Sequence, residues 1–134
     1  MGLGWNSQGI DLDGSVIMFD KDGNYIDKVV YNKQSSNDGS IRHSGDVTSG
    51  SSGSGDIETI KINLKNVSPN IQSLWVVVVV FTSPKTYNDV VGTYNRIFDT
   101  NTKKELARFT LTNCRDRISD GNIVSEIYRK GNKW

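Results

Sequence analysis

The run Leu74-Trp75-Val76-Val77-Val78-Val79-Val80-Phe81 constrains the fold more than any other stretch of this chain. It is far shorter than the roughly 20 apolar residues that a bilayer-spanning helix needs. Its valines are β-branched, which favours extended backbone over helix. Apolar side chains at successive positions leave neither face polar, so the run reads as a central strand covered on both sides. A chain built around such a strand needs others to pair with it.

Those others are visible as short runs split by polar turns. Ser15 to Phe19 forms a strand, Asp20-Lys21-Asp22-Gly23-Asn24 turns it, and Tyr25 to Tyr31 returns as its partner. Ile60, Ile62 and Leu64 alternate with Lys61, Asn63 and Lys65, a period of two with one core-facing side. Tyr94 to Phe98 and Glu105 to Leu111 pair around Asp99-Thr100-Asn101-Thr102, with Ala107, Phe109 and Leu111 on one side. Asn113 to Gly121 is a polar connection, and Asn122 to Arg129 is the last strand. No segment combines caps with a sustained 3.6-residue period, so helix is minor. This pattern predicts an all-β fold, a β-sandwich of two mainly antiparallel sheets in a single domain over residues 1–134.

Between the second and third of these runs lies a polar stretch, 38–58, rich in glycine, serine and acid. A connection of that length is either mobile or held by something it binds. Acids are concentrated in this half of the chain. Residues 1–60 hold nine acidic and four basic side chains, although the net charge of the whole is +1. Asp11 and Asp13 precede the first strand, Asp46 sits in the loop, and Asp56 and Glu58 close it. In extended backbone, positions i and i+2 point the same way, so each pair converges while Leu12 and Ile57 anchor it in the core. Calcium takes six to eight hard oxygens, and Asn32, Asn6 and Asp38 add further candidates. The same acids also suit turn and capping positions on a solvated surface, and spacing alone favours neither reading.

Other chemistry is poorly supported. Asp20 to Asn24 resembles the opening of an EF-hand loop, but its glycine and its twelfth residue, Tyr31, do not fit that geometry. A hairpin turn is expected there. His43, the single histidine, has no partners for a zinc site and is expected to brace the loop by a hydrogen bond. With Ser44 and Asp46 it lies too close in sequence for a nucleophilic triad, so no enzyme is expected. Tyr128 to Trp134 is too short an aromatic–basic segment for a nucleic-acid platform. A single cysteine, Cys114, and no visible signal peptide or membrane span lead us to expect a cytoplasmic location.

Several motifs in order resemble the TerD family of tellurium-resistance and stress-response proteins. They are Gly2-Leu3-Gly4-Trp5, Asp11-Leu12-Asp13-Gly14-Ser15, Tyr31-Asn32, Asp38-Gly39-Ser40-Ile41, His43-Ser44-Gly45-Asp46, Gly53 to Glu58 and Ile60 to Leu64. Glu126-Ile127-Tyr128-Arg129 and Gly131-Asn132-Lys133-Trp134 match the late strand. The resemblance implies a calcium-binding β-sandwich with protein partners in a stress response, and a non-catalytic role. It assigns the ligands to Asp11, Asp13, Asn32, Asp46, Asp56 and Glu58, with Asn6 and Asp38 as weaker candidates. Asn6 and Ile57 stand where the family usually has acids, and Lys33 where it has asparagine, so one cation site is expected rather than two. Flanking strands and a glycine-rich tail typical of the family are not seen in these 134 residues, so open sheet edges are expected. A calcium-independent interaction scaffold is the alternative function.

Overall fold

A computed structural model describes residues 1–50, 55–110 and 120–134. The described strands are β1 (Gly2–Gly4), β2 (Leu12–Phe19), β3 (Tyr25–Val29), β4 (Ile41–His43), β5 (Glu58–Ile62), β6 (Ser73–Val80), β7 (Tyr94–Phe98), β8 (Glu105–Thr110) and β9 (Gly121–Tyr128). A one-turn 3₁₀ segment, Tyr87–Asp89, lies between β6 and β7. The strands form two antiparallel sheets, β4-β5-β1-β7-β8 and β3-β2-β6-β9. Their facing sides enclose Leu3, Leu12, Val16, Met18, Ile60 and Val76, all essentially inaccessible to water. Burying each such side chain stabilises the fold by about 1.5–3 kcal/mol. The architecture is the sandwich that the short alternating runs predicted.

The predicted β2–β3 hairpin is present, with β2 beginning earlier than its apolar core suggested. Asp20 is the turn's organiser: its carboxylate accepts from the backbone N–H groups of Asp22 and Asn24, at 2.9 and 2.8 Å. That is a hairpin device with no room for an EF-hand. Strand β6 pairs with β2 on one side and β9 on the other, as a central strand should. The expectation that both its faces are covered is corrected. Leu74, Val76, Val78 and Val80 are buried, whereas Trp75, Val77 and Val79 are only partly so. Trp75 packs against Phe19 on this outer face, with ring centroids 4.9 Å apart.

Two strands left no sequence signal. β1 is three residues long with two glycines, and β4 is equally short. Both are strands because their neighbours supply hydrogen-bonding edges, not because their residues favour extension. Gly2 is required by crowding, since a Cβ there would lie 2.1 Å from Asp56 Oδ2. The late aromatic–basic segment closes the core. Arg129 donates to the carbonyls of Ile71 and Val67 at 2.9 and 2.8 Å and lies over the Trp134 ring. Leu111, Cys114, most of the Asn113 to Gly121 connection and residues 51–54 of the polar stretch 38–58 lie outside the described residues. Among the described residues, no helix is long and apolar enough to cross a membrane.

Candidate metal centre

One end of the sandwich gathers the acids. Loop 5–11 is folded back by a hydrogen bond from Trp5 Nε1 to the Ile10 carbonyl, 2.9 Å, and leads into Asp11. Asp11 is fixed by its own backbone: its N–H donates to Thr82 Oγ1 at 2.8 Å and its carbonyl accepts from Phe81 N–H at 2.9 Å. Asp13 follows at the i+2 position on β2, with Leu12 buried between them as predicted. The 44–50 loop brings in Asp46. Gly50 lets it close on Trp5, since a Cβ there would lie 2.4 Å from the indole ring. Carboxylate oxygens of Asp11, Asp13 and Asp46 all lie within 4.8 Å of one another.

Burial grades across this cluster: Asp46 is exposed, Asp11 is partly buried and Asp13 is 5% exposed. The Oδ1 atoms of Asp11 and Asp13 are buried without a hydrogen-bond partner. Orphaned carboxylate oxygens at such depth are costly. Burial, then the charges of Asp11, Glu58, Asp46, push the Asp13 carboxyl up to about 6. Burial and the charges of Asp46 and Glu58 raise Asp11 in the same direction. No lysine or arginine pairs with any of these acids among the described residues. A hard cation answers this arrangement, because it satisfies several converging oxygens and cancels their repulsion at once. The donor set fits calcium.

Glu58 lies beneath the cluster with only 1% of its surface exposed. Its oxygens are already occupied, accepting from Gly14 N–H at 3.0 Å and Val47 N–H at 3.2 Å. It therefore anchors β2 and the acidic loop and adds negative charge to the cluster. His43 lies beside it. Its Nδ1 accepts from Gly45 N–H at 3.0 Å, and Nε2 stands 3.5 Å from Glu58 Oε2, close enough for charge attraction but long for a hydrogen bond. Burial pushes the imidazole pKa down, yet Glu58, the Gly14 backbone and the charge of Asp13 together outweigh it and the net shift is upward. His43 is the loop brace expected from its isolation. Ser44 Oγ accepts from Thr59 N–H at 3.0 Å, a structural bond rather than a nucleophile's.

The remaining sequence candidates have other partners. The expected convergence of Asp56 with Glu58 does not occur. Asp56 accepts from Arg96 Nε and Nη2, both at 2.8 Å, and from the Tyr94 hydroxyl at 3.1 Å. A bidentate arginine saturates a carboxylate in a way water cannot match. The signal missed was Arg96, distant in sequence and brought close by β1 lying between β5 and β7. Asp38 accepts from Ser36, Ser40 and Ser68; burial pushes its pKa up, but these bonds outweigh it and hold the carboxyl at about 2. Asn6 and Asn32 are exposed and have no hydrogen bond to the cluster. Lys33, expected to repel a cation, is tied to Asp27 and Asn37.

Fold and site together define a β-sandwich with an acidic loop end and an unsatisfied carboxylate cluster. A TerD domain profile matches residues 1–134 in full, and the chain belongs to the TerD family. It is 35% identical over 133 residues to the tellurium resistance protein TerZ of Serratia marcescens, an alignment covering 99% of this chain and 66% of that protein. It is 32% identical to general stress protein 16U of Bacillus subtilis (strain 168), over all of this chain and 75% of that protein. The chain thus spans about two thirds to three quarters of the length of these relatives. The crystal structure of a homologue of telluride resistance protein (TerD) from Streptomyces coelicolor A3(2) superposes with a TM-score of 0.81 at 23% identity. That match covers 99% of this chain and 81% of the other. Named relatives are resistance and stress proteins.

Proposed function

We propose that this chain is a non-catalytic calcium-binding domain acting in the cytoplasm as part of a tellurite or general stress response, through protein partners. The observation that carries the reading is Asp13, buried with its Oδ1 unpartnered, in a group whose carboxylate oxygens, with those of Asp11 and Asp46, lie within 4.8 Å of one another. Asp11, Asp13 and Asp46 would hold the ion. Glu58 sets the local field and holds the loop in place. Bound calcium supplies fixed positive charge and oxygen coordination, not redox or hydrolytic chemistry. The single compact cluster supports one ion. The names of the relatives support the stress role, and whole-protein partners extend beyond the residues in hand.

The test is a calorimetric calcium titration after EDTA treatment, with magnesium as the control. Saturable binding of one calcium, lost in Asp13→Asn, is the expected outcome. No heat, together with a melting temperature indifferent to calcium, would sink the metal reading in favour of a calcium-independent interaction scaffold.

A further inference from the structure

The β3-β2-β6-β9 sheet turns one side to the core and the other outward, and its register shows what the outer side carries. Residues paired directly across strands share a face. Tyr25, Phe19, Ser73 and Tyr128 form one row across all four strands, and Lys28, Ile17, Trp75 and Glu126 form the next. Phe19 and Trp75 touch on this side, while their strand neighbours Met18, Leu74 and Val76 are buried in the core. Tyr25 and Tyr128 are 56% and 58% exposed, and Ile17, Phe19 and Trp75 are only partly covered. Between the rings, over Ser73, lies a trough of about 610 Å³ flanked by Phe19, Trp75 and Tyr128. A contiguous apolar patch of this kind marks an interaction surface.

Charge and shape select the occupant. Lys28 and Glu126 stand at opposite ends of one row, both exposed and neither in an ion pair among the described residues. Glu126 receives only a long 3.4 Å contact from Trp75 Nε1. The other charged side chains lining the trough are engaged: Lys21 with Asp22, Asp20 with the hairpin backbone, and Arg129 with the Ile71 and Val67 carbonyls. The row thus runs from positive, through two apolar residues, to negative. A two-fold axis between β2 and β6, parallel to the strands, makes that row its own complement. We propose that this face is the interface of a two-fold dimer with a second copy of this chain. Lys28 of one copy then meets Glu126 of the other, and Ile17 meets Trp75. In the adjoining row Tyr25 meets Tyr128, and Phe19 enters the trough over Ser73, a large ring against a small side chain.

The geometry of packed sheets permits these contacts. With strands about 4.8 Å apart, β3 and β9 lie about 7 Å from the axis, so a crossing of about 30° offsets Lys28 from Glu126 by about 4 Å. Both side chains are long enough to span that. The face offers at most about 500 Å² on each copy, at the small end of specific interfaces, so the dimer is reversible. A partner of a single charge sign would meet a like charge at one end of the row; a second copy meets an opposite charge at both. The two rows lie about 20 Å along β2 from Asp13, so the proposal stands apart from the calcium reading.

The test is sedimentation equilibrium of the whole chain at low salt in EDTA, from about 10 µM to about 1 mM. The expected result is an average mass that climbs with concentration from one chain toward two. Lys28→Glu and Glu126→Lys should each weaken association at least about tenfold, because the axis repeats the pair and turns two attractions into two repulsions. Combining the two substitutions should restore association, since the charges are then exchanged and opposite again. Both positions are exposed, and melting curves check that each variant is folded. The mass of a single chain throughout the range overturns the proposal. So does a dimer indifferent to either substitution, or one lost in both single variants and not recovered in the double variant.

Discussion

Asp13 and Asp38 are the same residue type in the acidic half of the chain, yet their surroundings drive them in opposite directions. Asp38 sits in a turn among serines and accepts four hydrogen bonds, so its negative charge is favoured. Asp13 is buried against other carboxylates with one oxygen unpartnered, so its charge is opposed. Asp56 belongs with Asp38, since Arg96 and Tyr94 satisfy it. What marks a cation site is therefore a deficit of donors around an acid, not the acid itself. The 38–58 stretch contains acids of both kinds, and only their neighbours distinguish them.

That contrast is open to direct attack. The largest effect is expected at Asp13. Asp13→Asn should lower calcium affinity at least about a hundredfold, since a buried anionic ligand is lost. In calcium-free buffer at neutral pH it should raise the melting temperature, because repulsion is relieved. A fall there would show that Asp13 is a structural acid like Asp38. Asp56→Ala comes next, with the reverse pattern. It strips Arg96 of its main partner and should cost roughly 2–4 kcal/mol in urea unfolding, while one calcium per chain still binds. Loss of calcium binding in a folded Asp56→Ala protein would return Asp56 to the ligand set.

The pH dependence sharpens the comparison further. The Asp13 carboxyl titrates near 6 when folded, against 3.8 as its ordinary value. A raised acid pKa means the folded state holds the extra proton. Its contribution to calcium-free stability therefore worsens as pH rises from about 4 to about 6 and is level above that. Calcium affinity should fall below about pH 6, as protons compete for the site. Asp38, held at about 2, behaves oppositely: its stabilisation is full above 3.8 and is lost as pH falls toward 2. Melting curves for Asp13→Asn and Asp38→Ala across this range should lose the two slopes separately. The smallest effect is the cost of Asp38→Ala at neutral pH, about 1 kcal/mol, since its solvent exposure lets water replace much of what is lost.

Much of this architecture was legible before any coordinates. The alternation of Ile60 and Ile62, the valine run and the Asp20–Asn24 turn each encode local geometry and give strands and a turn there, although β5 stops at Ile62, leaving Leu64 in the following turn, and only one face of β6 is fully buried. Asp11 and Asp13 were legible as a pair for the same reason, because extended backbone places alternate residues on one side. That rule failed for Asp56 and Glu58. Asp56 lies outside β5, which begins at Glu58, and the two carboxylates meet different partners, Arg96 for one and Gly14 and Val47 for the other. The rule says where side chains set out and nothing about what they meet.

Sequence by itself thus determined the elements whose causes are local: strands where apolar residues alternate, turns where aspartate and glycine fall together, and an acid-rich loop too long to be a simple connection. Tertiary structure decided everything that depends on donors far away in the chain. It made strands of Gly2–Gly4 and Ile41–His43 by giving them edges to join. It assigned Arg96 to Asp56 and left Asp11, Asp13 and Asp46 to face one another. A carboxylate's character is set by what lies within a few ångströms, and for these residues that neighbourhood exists only once two sheets have closed.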